Sequence, residues 1–518
     1  MKKRIFALFL SALLLATVLC ACGDTKPQEA GGVGSDTTSS SGEAITGGEL
    51  VVGISQDLGD SLDPYQLTAA GTREVLFNIY EGLVKANASG AYVPAVASES
   101  SVSEDGLTYT FPLREGVLFH NGQAVTPDDV VYSFETCAET TVDTALAAAL
   151  SAVQDISAEG STVTITLDEP NPDFLSYVGM VSIVPADYDE QSTSPVGTGP
   201  FRFVSRSVQE NLIMENFADY WGEKAYLDKV TFKIFEDANA LMSALGAESV
   251  DMAVHLTIDQ VNTLNAGAYT TLEGTMNLVQ ALYLNHAEAP FDNEKVRQAM
   301  CYAVDVDEIL SLTSEGHGAK LGTSIYPAFT KYFDESLNDA YPHDVEKAKQ
   351  LLAEAGYEDG FDMTITVPSN YTPHMNVAQV LVQQLEQVGI TATLEPVEWE
   401  TWLSRVYAGR DFEGTVLGFD AATLSAGALL NRWTSDDENN MINYDNPDYD
   451  KLMEQAAVTT DDAKQTDLYK QAAKLLSDTA ANVYIQDLAD FVVLKNGLEG
   501  YQFYPLYVMD LSTVHYVQ

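Results

Sequence analysis

Basic residues are scarce in this chain. Twenty-six lysines and arginines face 76 aspartates and glutamates among 518 residues, a formal net charge of -50 at pH 7. A field of that sign repels phosphate backbones and argues against nucleic acid as a partner. It fits either a solvated acidic surface or an attraction for cationic solutes. Cysteine is nearly absent as well: there are four, and Cys20 and Cys22 sit at the N-terminus, so the body holds only Cys137 and Cys301. Cys137 shares a helical face with Val130, Val131 and Phe134, and Cys301 with Val296 and Met300. Both are expected as buried thiols acting as small hydrophobes, with a disulfide between them as the lesser alternative. The seven histidines are scattered and none stands at ligand spacing from a cysteine, so neither a zinc site nor any other metal or cofactor is expected. A metalloprotease helix, a nucleophile elbow and a Walker loop are all missing. Carboxylates are so numerous that no pair stands out as an acid–base couple. Catalysis therefore has no sequence support, and binding is what remains.

Only one apolar run approaches membrane length, from Ile5 to Leu19 behind Lys2, Lys3 and Arg4, which reads as a secretory signal over residues 1–21. It ends in Leu19-Cys20-Ala21-Cys22-Gly23, a pattern that resembles a lipobox with Cys22 as the lipidated residue. Residues 22–47, rich in Gly, Ser, Thr and acids, are expected to be a flexible tether. The body is then extracytoplasmic and held to the cell membrane by lipid.

A chain this long exceeds one hydrophobic core, so two or three units are expected. A short apolar run predicts a strand at 50–54, alternation predicts strands at 107–113, 162–167 and 230–235, and a helix is expected over 72–84. Thr126-Pro127-Asp128-Asp129 carries the signature of a helix start, and Asp237, Asp344 and Asn446-Pro447 mark others. A strand at 363–367, a helix at 377–388 stopped by Gly389, and a return through 390–394 predict a βαβ unit with a parallel pair. The stretch Pro195 to Val204, PVGTGPFRFV, predicts a tight turn into a strand with Phe201 and Phe203 on one face. Positive φ at its glycines is the expected reason for their presence. It lacks the third glycine and following helix of a nucleotide-binding loop. Gln56 and Asp57, just past the first strand, stand at an edge where a ligand can sit, or else they cap the next helix.

Beyond such patterns, the words EDGLTYTFPLREGVLFHNGQAVTPDDVVYSFE, PVGTGPFRFV, YWGEKAYLDKVTFKIFEDANALMSAL and YLNHAEAPFDNEKVRQAMCYAVD occur in an order that resembles extracellular solute-binding protein family 5 of bacterial importers. The resemblance runs from about Leu50 to the C-terminus. It implies an α/β fold of two lobes, periplasmic-binding-protein-like and of type II with an enlarged first lobe, joined by a hinge of two crossing strands. On that reading lobe I comprises 48–280 plus 484–518 and lobe II 281–483. The implied function is a monomeric receptor that captures a solute, with peptides the leading class, and delivers it to an ABC permease without itself performing chemistry. In the family's pocket the tryptophan of VEWETWL corresponds to Trp399, and the usual tryptophan of the glycine–tryptophan segment to Phe419. Peptide-binding members place an aspartate three residues further on, where this chain has Ala422, with Asp420 nearby. Dipeptide-type members carry an arginine in the loop that here reads Pro368-Ser369-Asn370-Tyr371. Gln56, Asp57, Asn370, Tyr371, Trp399, Phe419 and Asp420 are thus the candidate ligand-binding residues. A metal chelate, a glycoside or a cationic small molecule remains the alternative solute class, and a surface sensor or a secreted hydrolase the alternative function.

Overall fold

The computed structural model describes residues 42–518 apart from 68 and 236. The signal, Cys22 and nearly all of the tether lie outside the described residues. The tether's expected end does not hold as a free linker, because Ala44–Ile45 pairs antiparallel with the C-terminal strand His515–Val517, Ala44 opposite Val517 and Ile45 opposite Tyr516. Residue 44, not 48, is therefore where the chain joins sheet structure.

Two large sheets organise the body. The first has seven strands in the order Tyr269–Thr275, Ala489–Lys495, Met252–Leu256, Glu49–Ile54, Lys229–Ile234, Asn211–Asn216, Phe201–Ser207. The second has six, in the order Ala319–Lys320, Asn482–Asp487, Leu278–Leu284, Gly414–Asp420, Phe361–Pro368, Ile390–Val397. Beside the first lie a four-stranded sheet that includes Thr108–Pro112 and Thr162–Leu167, and a hairpin pairing Val84–Ala86 with Tyr92–Pro94. The βαβ unit forms as the periodicity predicts: Phe361–Pro368 runs parallel to Ile390–Val397 with Thr372–Glu386 as the crossover, and Gly389 takes φ +89° at the turn. Thr126 and Asp129 close a reciprocal capping box on the helix Pro127–Thr140. Cys137 and Cys301 are buried free thiols, each pushed up to about 12 chiefly by burial.

The expected helix over 72–84 is shorter, Ala70–Leu76. The carbonyls that would continue it are used elsewhere: Asn78 O accepts from Phe201 N at 3.1 Å and Ile79 O from Gly199 N at 2.9 Å. This contact also corrects the reason for the PVGTGPF glycines. Neither Gly197 nor Gly199 has positive φ. A Cβ on Gly199 would lie 2.5 Å from the Asn78 carbonyl oxygen, and one on Gly197 would overlap that of Ile79. Close backbone approach is what requires glycine here.

The chain changes sheets between Thr275 and Leu278 and again between Asp487 and Ala489, a few residues from the boundaries at 281 and 484 read from the sequence. Both passages are stitched by polar groups. Leu278 N donates to the fully buried Asp487 Oδ1 at 3.1 Å, while Asp487 Oδ2 is buried without a partner among the described residues. On the neighbouring strand, Asp490 and Glu74 hold His255 at 3.2 and 2.9 Å, and His255 stacks at 4.8 Å on Tyr507. These contacts keep His255 at a left-handed φ of 56°, a conformation costly for a residue with a side chain.

Burial pushes the Asp487 carboxyl up to about 8, with Asp490 adding to the effect. Its folded value lies above its unfolded one, so the folded state keeps a proton that the unfolded state has lost. Stability contributed by this group is full below about pH 4 and falls as pH rises towards 8. Asp487→Asn preserves the shape without the ionisation. In urea titrations its stability relative to the parent should rise by about 2 kcal/mol or more between pH 4 and 8, and parallel curves over that range would contradict the assignment.

Candidate functional site

A cleft of about 980 Å³, open to solvent, lies where residues on the seven-stranded side meet Ala422, just past the end of a strand of the six-stranded sheet. Phe77, Leu76, Tyr80 and Met180 supply apolar lining, with Leu506 and Val508 from the C-terminal segment. Arg73, Glu81, Lys85 and Asp143 supply the charges.

Glu81 is the buried centre of this wall, its side chain only 2 % exposed. It receives Lys85 Nζ at 2.9 Å, Tyr220 Oη at 2.7 Å, Trp221 Nε1 at 2.8 Å and Thr198 Oγ1 at 3.3 Å. Trp221 is capped in turn by the Arg114 guanidinium, 4.1 Å from its ring. A carboxylate taken this far from water needs such a set of donors, and here they satisfy both of its oxygens. Contacts also cross to the other side of the molecule. Leu424 N donates to Tyr92 Oη at 3.3 Å, and Tyr469 Oη donates to Asp173 Oδ2 at 2.6 Å. Burial raises the Asp173 carboxyl, while its bonds to Tyr469 and Ser425 pull the other way.

The residues singled out from the sequence divide into three groups. Gln56 is exposed, and Asp57 is committed to structure: it pairs with Arg206 at 3.2 Å and accepts from Gln209 N and Leu58 N, both at 2.7 Å. Asp57 thereby ties the end of the first strand to the hairpin 201–216. It does not cap the helix Ala70–Leu76, whose N-cap is Ala69. Tyr371, Trp399 and Phe419 do come together, as members of one aromatic file along the six-stranded sheet. Tyr371 meets Trp399 edge-on at 5.3 Å, Trp399 stacks on the buried Trp402 at 5.2 Å and 5°, and Tyr407 links Trp402 to Phe419. Phe419 also contacts Tyr283 at 5.1 Å and Trp433 at 6.2 Å, and the Arg432 guanidinium lies 3.8 Å from its ring centre. One face of Trp399 and one of Phe419 are thus covered by the protein itself. Asn370 is exposed two residues past the strand Phe361–Pro368, and Asp420 is exposed at the end of Gly414–Asp420 without an ion-pair partner among the described residues. Of the positions the sequence compared with the family, Ala422 is the one that lines the cleft.

Sequence reasoning missed Arg73, Lys85 and Asp143. The word YWGEKAYLDKVTFKIFEDANALMSAL carried two of Glu81's donors, Tyr220 and Trp221, but nothing in the spacing said that they meet Glu81. No motif marked Asp143.

The profile of the bacterial extracellular solute-binding proteins, family 5 Middle, matches residues 91–441. The chain is 29% identical over 449 residues to heme-binding protein A of Haemophilus influenzae, covering 79% of this chain and 81% of that one. It is 28% identical over 456 residues to the dipeptide-binding protein of Escherichia coli, covering 80% and 84%. Among solved structures it superposes on the ABC transporter-associated periplasmic binding protein DppA of Helicobacter pylori, in complex with the peptide STSA, with a TM-score of 0.77 at 27% identity over 92% of this chain and 99% of that one.

The aromatic file predicts unequal consequences for its two candidate residues. Phe419→Ala removes a ring enclosed by Tyr283, Tyr407, Trp433 and Arg432 and should destabilise by about 3 kcal/mol. Trp399→Ala, at the half-exposed end, should cost about 1 kcal/mol. Denaturant titrations of the two variants check this, and equal midpoints would show that the rings do not pack in this way.

Proposed function

Because the chain belongs to the bacterial extracellular solute-binding proteins of family 5, we propose that it is the solute receptor of an ABC importer, capturing short peptides in the cleft and passing them to a membrane permease. The observation that supports this reading is the cleft itself. Its lining comes almost wholly from the part of the chain that carries the seven-stranded sheet, with Ala422 from the part that carries the six-stranded one, and among the described residues the chain passes between those parts at Thr275–Leu278 and Asp487–Ala489. Two adjacent connections of a few residues form a hinge about which two lobes can close on a solute. The relatives' names add a peptide, a dipeptide and heme as solutes of those proteins. Peptides fit best here, because the cleft carries charges of both signs beside apolar lining.

The same reading covers location and partners. The protein is exported, lipidated at Cys22 and held by residues 23–43 at a distance that lets the lobes face a permease, and it acts as a monomer. No helix among the described residues is long and apolar enough to cross a membrane. The arrangement binds and releases its solute unchanged, with no reaction of its own.

Closure is directly measurable. Binding that selects a closed form raises stability by about 2.7 kcal/mol at one hundred times the dissociation constant. Small-angle scattering with and without a saturating tetrapeptide should show a smaller radius of gyration in the bound state. An unchanged profile with a peptide shown by calorimetry to be bound would overturn the closing-receptor reading.

A further inference from the structure

The charges that line the cleft are not all of one kind. Lys85 and Glu81 neutralise each other at 2.9 Å and are tied further by Tyr220 and Trp221. Arg73 and Asp143 line the same cleft and are not satisfied in that way. Arg73, in the last turn of the helix Ala70–Leu76, makes no ion pair and no side-chain hydrogen bond among the described residues, although acidic side chains outnumber basic ones 76 to 26 in this chain. It is half-buried. Its neighbour Glu74 does not serve it, being turned to His255 at 2.9 Å. Asp143 is half-buried too and spends one oxygen as the N-cap of the helix Thr144–Ser151, accepting from Leu146 N at 2.9 Å. Its other oxygen has no partner and no cation pairs with it among the described residues.

A guanidinium and a carboxylate that line one solvent-filled cleft without pairing with each other are complementary to a molecule that carries both charges at a separation. The guanidinium offers paired donors to a carboxylate, and the free carboxylate oxygen offers an acceptor to an ammonium. Phe77, Leu76 and Val508 then give the body of the solute apolar contact.

We propose that Arg73 and Asp143 are the two charge anchors of the cleft, Arg73 holding the carboxylate and Asp143 the ammonium group of a zwitterionic solute such as a short peptide. This rests on the solute-capture reading and names the residues that give it charge selectivity. Both anchors come from the seven-stranded side, so the opposite face, where Ala422 stands, can close over the solute without bringing a charge of its own.

The test uses the purified protein and a tetrapeptide chosen from a defined library by retention on it. Calorimetry compares the free peptide with its N-acetylated and its C-amidated forms, against the parent protein, Arg73→Gln and Asp143→Asn. Asparagine caps helices as well as aspartate does, so Asp143→Asn removes the charge and leaves the helix start intact. In the parent protein each blocking group should weaken binding at least tenfold. C-amidation should cost less than threefold in Arg73→Gln, while N-acetylation still costs tenfold there, and Asp143→Asn should show the reverse. Blocking groups that cost the same in the variants as in the parent would overturn the assignment of these two residues. Blocked peptides that bind the parent as well as the free one would overturn the charge anchors while leaving peptide capture standing. If nothing in the library is retained, both readings fail.

Discussion

The buried carboxylate of Glu81 is the constraint on which the first half of this molecule depends. It draws four donors from three separate places in the chain: Lys85 one turn on, Thr198 from the glycine turn, and Tyr220 and Trp221 from the segment that follows. An acid with so little exposure is stable only if all of them arrive, since each lost donor leaves a buried charge less well solvated. The glycines at 197 and 199 follow from the same demand, because Thr198 reaches Glu81 only if its flanking backbone lies against Asn78 and Ile79. Much of the cleft's wall is fixed as a by-product: Tyr80, Glu81, Gly82 and Lys85 line it.

In the part of the chain that carries the six-stranded sheet, order comes from stacked rings. Trp399, Trp402, Tyr407 and Phe419 form a continuous file, anchored where Trp402 Nε1 donates to Thr415 Oγ1 at 3.0 Å. Arg432 closes the file over Phe419. The file packs the second half of the chain against its own sheet as Glu81 and its donors pack the first. The buried Asp487 and the Glu74–His255–Asp490 cluster lie where the chain crosses between sheets near Asn277 and Leu488, so buried polar groups tie the crossings as well.

Much of this was legible in the sequence. The βαβ unit at 361–397, the capping box at Thr126 and the buried thiols could be read from local periodicity and caps, because each is decided within a short stretch of chain. The helix after Thr72 was read too long because its later carbonyls are claimed by residues more than a hundred positions away. The glycine turn was placed correctly and given the wrong reason for the same cause. The family's pocket aromatics at 399 and 419 were found by resemblance, and the structure gathers them into one file with Tyr371. Gln56 and Asp57 looked exposed to a ligand, but the Arg206 that claims Asp57 could not be seen from spacing. Arg73 and Asp143 were missed altogether, since what distinguishes them is the lack of an ion-pair partner among the described residues, and that is a property of three-dimensional surroundings alone.

The central claim is that the cleft holds a small peptide. Mass spectrometry of whatever is released when the protein, purified from its own secreting cells, is denatured tests this most directly. The account predicts short peptides with free termini. A released compound without peptide bonds, such as a glycoside, a heme or a metal chelate, would contradict it.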